Sequence, residues 1–163
     1  MIAVDTNVLV RLLTNDNPKP AAAARLLFEA ETIWIAKTVL LETAWVLHSL
    51  HGFEENEICD AFTRLLGLKN VRAEDEQSVA AALALASQGI QFADALHLSS
   101  WPPGSAFISF DQSFVRRAKR AGAGTFQDCL PIGSHAALSA STNAVPGTNA
   151  PSLNFLFMSL NTQ

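Results

Sequence analysis

Residues 32–51 read TIWIAKTVLLETAWVLHSLH. The first five are β-branched, aromatic or small and predict a strand over 32–36. Residues 37–51 have the length and composition of a buried helix, and Gly52 closes it. A strand running straight into a helix is the first half of a βαβ unit. One residue resists that simple reading. Glu42 places a carboxylate inside an apolar helix, where its helical neighbours are Thr38, Val39, Trp45 and Val46. That face is expected to pack on the sheet.

The same alternation extends in both directions. Toward the N-terminus, residues 2–4 form a short apolar run that ends at Asp5, a first strand. Residues 7–13 are periodic and helical, and 18–31 form a second helix with prolines at its start and an Ala-rich body. Toward the C-terminus, 54–68 is amphipathic, and Val71 begins a short strand. Residues 74–88 are an acid-started helix ended by Gly89. Residues 92–100 are a shorter helix, stopped by Pro102-Pro103-Gly104. Residues 106–110, AFISF, predict a strand ending at Asp111; 112–121 is helical and basic, and 124–126 predicts a last short strand. Short strands alternating with helices imply an α/β fold, with a central, mostly parallel sheet covered by helices on both faces. No internal repeat is visible.

Composition narrows the class. The chain has 163 residues, 49% hydrophobic and 16% charged, which suits one domain with a sizeable core. No apolar run approaches the roughly 20 residues that span a bilayer. The start, MIAVDTN, carries an Asp where a secretory leader carries basic residues, so a cytoplasmic protein is expected. Cys59 and Cys129 form no CxxC pair and read as reduced, structural thiols. His48, His51, His97 and His135 show no zinc-ligand spacing. The formal net charge of −4 argues against a chain that coats nucleic acid, though not against a local basic patch. Composition changes at about Pro131. Residues 131–163 contain no Asp, Glu, Lys or Arg and read as a disordered, low-complexity tail after a domain over 1–130. Its last apolar stretch, LNFLFMSL, is suited to docking.

Four acids stand out by position. Asp5 and Asp111 each close a predicted strand and precede a helix, and ligands of parallel α/β sheets bind at the carboxyl ends of the strands. Asp94 lies in the first turn of its helix. Each of these three is also a good helix-start residue and could serve only there. Glu42 lies too far into its helix for that, and Lys37 cannot face it from its spacing. A buried lone carboxylate is costly, so it calls for a cation or donors. A shared divalent metal held by Glu42 and the aspartates is the economical solution, since clustered carboxylates repel one another without one. Hard oxygen ligands favour Mg²⁺ or Mn²⁺ over zinc. On this reading Glu42→Gln weakens metal binding and stabilises the metal-free fold.

The segments VDTNVLVRLL, LLETAWVL, FADALHL and FISFDQSFVRRA resemble, in order and spacing, the four signature segments of PIN-domain ribonucleases, in particular VapC-type toxins of toxin–antitoxin pairs. The resemblance covers about residues 1–130. It implies a PIN fold and an acidic site of Asp5, Glu42, Asp94 and Asp111. Asp5 and Asp94 match positions assigned as direct metal ligands, and Asn7 and Ser109 match supporting polar positions. It also implies an RNA substrate, a cognate antitoxin and a homodimer, with Val8, Leu12, Leu26, Leu27 and Phe28 available for such contacts or for the core. The uncharged tail is not part of the family pattern.

On the substrate side, Arg116 and Arg117 lie about one turn from Asp111, and Arg11 one to two turns beyond Asp5. They are candidates to hold backbone phosphates. Lys119 and Arg120 fit a solvated helix end that complements the dipole. His97 is expected to be a partly buried helix residue, and Trp34 and Trp45 to be core. Two other classes stay open. In a phosphatase Asp5 would be the nucleophile, but that chemistry calls for an Asp two residues later, where Asn7 stands. In a non-catalytic PIN-like or receiver-like binding module the acids only cap helices.

Overall fold

The computed structural model describes residues 1–102 and 104–126. The expected tail over 131–163 lies outside the described residues. The element order is β1 (Ile2–Ala3), α1 (Thr6–Thr14), α2 (Pro18–Ala30), β2 (Ile33–Ile35), α3 (Lys37–His51), α4 (Glu55–Leu66), β3 (Val71–Ala73), α5 (Glu76–Ala86), α6 (Phe92–Ser100) and α7 (Gln112–Arg120). The three strands form one parallel sheet in the order β1-β2-β3. The register pairs Ile2 with Ile33 and Ala3 with Trp34, then Ile33 with Val71 and Ile35 with Ala73. Val4 extends the ladder by donating its N–H to the Trp34 carbonyl at 3.2 Å. This is the α/β, three-layer architecture expected from the alternation. Among the described residues no helix is long and apolar enough to cross a membrane.

Burial follows from position in the sheet. On the central strand β2, Ile33 and Ile35 are fully buried and Trp34 is half-buried, as a strand covered on both faces requires. On β3 only Val71 and Ala73 turn inward, and Arg72 is exposed. Leu9, Leu40, Ile58, Phe62, Val79, Ile90 and Phe92 complete the core. Phe62 meets Phe92 edge to face, with centroids 5.2 Å apart. That contact anchors the start of α6 on α4. Helix ends obey local rules. Asn15 and Gly52 end α1 and α3 in the left-handed region, with φ of 52° and 72°. Glu54 opens α4 by donating its N–H to Glu57 at 2.8 Å, one half of a capping box.

Three expectations fail here. The stretch AFISF joins no sheet strand among the described residues. Phe107 makes a single parallel bridge to Phe126 and donates its N–H to the Thr125 carbonyl at 3.0 Å. Phe107 and Phe126 instead sit in an aromatic cluster with Trp101 and Phe114. Those side chains hold the segment against α7, while Ile108 and Phe110 are exposed. The predicted strand over 124–126 is likewise only that bridge. Finally, Trp45 is 62% exposed and is not core. The buried face of α3 is Leu40, Thr43 and Leu47, and Trp45 lies off that stripe.

Candidate active site

The site is built from the N-terminal ends of three helices and one interior helix residue. Asp5 follows β1 and caps α1: its Oδ1 accepts the Val8 N–H at 3.0 Å. Thr6, the next residue, is buried and donates its hydroxyl to Glu42 Oε2 at 2.6 Å. That bond joins the start of α1 to the middle of α3. Glu42 itself is an exposed residue. The expectation of a buried, unpartnered carboxylate is therefore corrected: the Glu42 face of α3 meets solvent, and a hydroxyl serves one of its oxygens. Lys37 pairs elsewhere, with Asp75 at 3.1 Å and Ser100 Oγ at 3.2 Å, as its spacing from Glu42 implied.

Asp94 and Asp111 form the other half. Asp94 sits half-buried in the first turn of α6, and the Arg117 guanidinium from α7 lies 3.9 Å from it. Burial pushes the Asp94 carboxyl above the ordinary range. Arg117 opposes that rise, and the nearby Asp111 carboxylate adds to it. Asp111 caps α7, and its Oδ1 accepts from Ser113 N at 2.8 Å, Phe114 N at 3.0 Å and Ser113 Oγ at 2.7 Å. These hydrogen bonds, the Ser113 hydroxyl first, hold its carboxyl below the ordinary range. Ser109 supports the turn, since its Oγ accepts the Asp111 N–H at 3.1 Å. Asp111 thus enters from the loop before α7, not from the end of a sheet strand as expected.

The expected acids accordingly fall into two groups, Asp5 with Thr6 and Glu42, and Asp94 with Asp111 and Arg117. Helix α3 packs against both α1 and α6 and so links the groups. Among the described residues no three His, Cys, Asp or Glu side chains are gathered as a metal cluster. The donor chemistry nevertheless suits a hard divalent ion, since all four are carboxylates. The second oxygens of Asp5 and Asp111 accept no hydrogen bond among the described residues.

The basic residues divide. Arg11 is paired with Asp16 at the far end of α1, away from Asp5. Arg117 is turned to Asp94 and also donates to Ser113 Oγ at 3.1 Å. Arg116 is exposed and in no ion pair among the described residues. Asn7 is exposed beside Val8, Arg11 and Leu27 in a groove between α1 and α2. His97 is exposed rather than partly buried, one turn from Asp94.

Sequence reasoning missed three participants. Thr6 was hidden between Asp5 and Asn7, and nothing in the sequence set its hydroxyl apart from its polar neighbours. Glu55, at the start of α4, accepts the Phe92 N–H and so holds the turn that carries Asp94. The third is Trp45, which lines a groove with Glu42, His48, Gln91 and Phe92.

A parallel α/β sheet whose first strand delivers an acid, with more acids on the following helices, defines an α/β domain with an acidic site. The chain matches the PIN domain family over residues 2–120 and belongs to it. PIN domains are in general nuclease domains. No curated protein matches the chain.

Proposed function

We propose that this protein is a Mg²⁺- or Mn²⁺-dependent endoribonuclease, the toxin of a toxin–antitoxin pair. The observation that carries this reading is Asp94: a half-buried carboxylate pushed upward by burial and by Asp111, with Arg117 at 3.9 Å and, less strongly, His97 opposing the rise. Perturbed acids of this kind concentrate at catalytic sites. A hard divalent cation, when bound, supplies Lewis acidity on a phosphate oxygen and a lower pKa for its water. Asp5, Glu42, Asp94 and Asp111 would hold it.

The remaining work falls to the chain. Thr6 fixes Glu42 through Oε2, which leaves Oε1 to take a proton from the attacking water. Arg117, 3.9 Å from Asp94, would turn to a phosphate oxygen if Asp94 held a cation. Arg116 meets a neighbouring phosphate, and Arg11 does so only by leaving Asp16. An antitoxin and a second copy would use exposed Leu26 and the part-buried Val8, Leu12 and Leu27; Phe28 belongs to the core.

The test is Mg²⁺-dependent cleavage of RNA by the wild type and by Asp5→Asn and Asp94→Asn. Loss in both variants, with folding intact, is the expected result. Undiminished cleavage in either variant sinks the assignment. A second reading, a binding module whose acids only cap helices, is favoured by the cap bonds of Asp5 and Asp111. It requires that Mn²⁺ leave the melting temperature unchanged, whereas a ligand that binds only the native state raises it.

A further inference from the structure

Trp45 is the largest side chain exposed on α3, and Glu42 one turn before it and His48 one turn after are also exposed. It forms one wall of a groove of about 400 Å³ whose other walls are Leu41, Gln91 and Phe92. Glu42 lines the same groove and ties it to the candidate site through its bond from Thr6. We infer that this groove is a nucleobase subsite, in which Trp45 stacks on one unpaired base beside the scissile phosphate. The inference rests on the nuclease reading and adds to it the groove and the side chain that would take a base.

Three features favour a base over a protein surface. An indole face with apolar neighbours on one side and water on the other suits a planar ring, which stacks irrespective of sequence. Thr38, His48 and Gln91 at the rim offer donors and acceptors for base edges. Glu42 and Glu55 within the groove repel phosphate, so a nucleotide enters base first and keeps its backbone toward the site where a cation would neutralise it. A base paired in a duplex cannot enter, because A-form stacking hides its faces.

The test compares wild type, Trp45→Ala and Trp45→Phe on a short mixed-sequence single strand and on the matching duplex. Steady-state cleavage in Mg²⁺ is one readout. Binding of the dye-labelled single strand, in an Asp94→Asn background, is the other. Because Trp45 is exposed, neither substitution threatens folding, and melting curves verify this. The expected result is a roughly tenfold rise in KM and Kd for Trp45→Ala on the single strand. Trp45→Phe recovers most of it, and cleavage of the duplex is poor for all three proteins. If the wild type cleaves RNA and Trp45→Ala cleaves and binds equally well, the inference is overturned and the nuclease reading stands. If the wild type binds the strand through Trp45 but cleaves nothing, the subsite stands and the nuclease reading falls. If Trp45→Ala turns a dimer into a monomer in sedimentation with strand binding unchanged, the face belongs to a second copy and the inference is overturned.

Discussion

The hydrogen bond from Thr6 to Glu42 gives the sharpest perturbation. Thr6→Val keeps the shape of the side chain and removes only its hydroxyl. The bond is 2.6 Å long, its donor is buried and its acceptor carboxylate is exposed. A buried bond to a charged group contributes about 1.5–3 kcal/mol, and access of water to Glu42 reduces this to about 1 kcal/mol. For a domain of this size that lowers Tm by about 3–6 °C. The larger effect falls on metal binding. Loss of a partner that orients a ligand costs about 10–100-fold in metal affinity, so Thr6→Val is expected to bind Mn²⁺ about tenfold more weakly while keeping all four acids. Calorimetric titration of Mn²⁺, with melts of the metal-free protein, measures both. Thr6→Ser should retain most of each property. A cycle of Thr6→Val, Glu42→Ala and the double variant isolates the pair, with a coupling of about 1 kcal/mol. Strict additivity in stability, together with unchanged Mn²⁺ affinity in Thr6→Val, would refute the reasoning.

Other outcomes follow from the same geometry. Glu42→Gln should leave the stability of the metal-free fold near wild type, because the amide oxygen still accepts from Thr6; only its metal affinity falls, in contrast to the stabilisation expected from a buried charge. Asp94 titrates higher in the folded chain than unfolded, so the native state binds its proton more tightly and stability falls as pH rises from below the ordinary value of about 3.9 through the folded one. Melts of metal-free wild type and Asp94→Asn over acid pH should therefore diverge as pH rises through that window; parallel curves would contradict the assignment. Asp111→Asn keeps the cap of α7 and Asp111→Ala loses it, so only the alanine variant should lower Tm, while both lose cleavage. Phe62→Ala removes a fully buried ring from the seat of Phe92 and should cost about 3–5 kcal/mol in denaturant unfolding. Burial pushes the Cys59 thiol up to about 11, so in a Cys129→Ser variant its alkylation at neutral pH should be slow until denaturant is added.

Most helices could be read from the sequence because their signals are local. The bounds of α3 and α6 agree with their sequence reading at both ends: Gly52 stops one, and Pro102 follows the other closely. Strands β1 and β2 were legible as apolar runs closed by Asp5 and Lys37. AFISF carried the same signal and failed, because a strand needs a partner and local composition cannot supply one; the aromatic cluster around Trp101 claimed Phe107 instead. Asp5, Glu42 and Asp94 lie on the elements read for them, but Asp111 follows a loop in place of the expected strand, and the physical argument for Glu42 was wrong. Apolar neighbours at i±3 and i±4 do not bury a residue when the buried stripe runs through Leu40, Thr43 and Leu47. Trp45 was read as core because it sits in an apolar run, yet it too lies off that stripe. Thr6 and Arg117 were invisible as partners because each acts across the fold, on Glu42 and Asp94 respectively.

The strand order β1-β2-β3 equals the order of synthesis. Among the described residues, β2 and β3 each leave the ribosome with a neighbour already made, and neither has to be threaded between earlier strands. The sheet can grow from one side during translation, with crossover helices closing behind it. The proposed site is assembled on a different schedule. Thr6 meets Glu42 while α3 is being laid down, but Asp94 gains Arg117 only after α7 is complete. On the proposed nuclease reading, a nascent chain would thus be folded before it is competent to cut, a useful delay beside the RNA that encodes it.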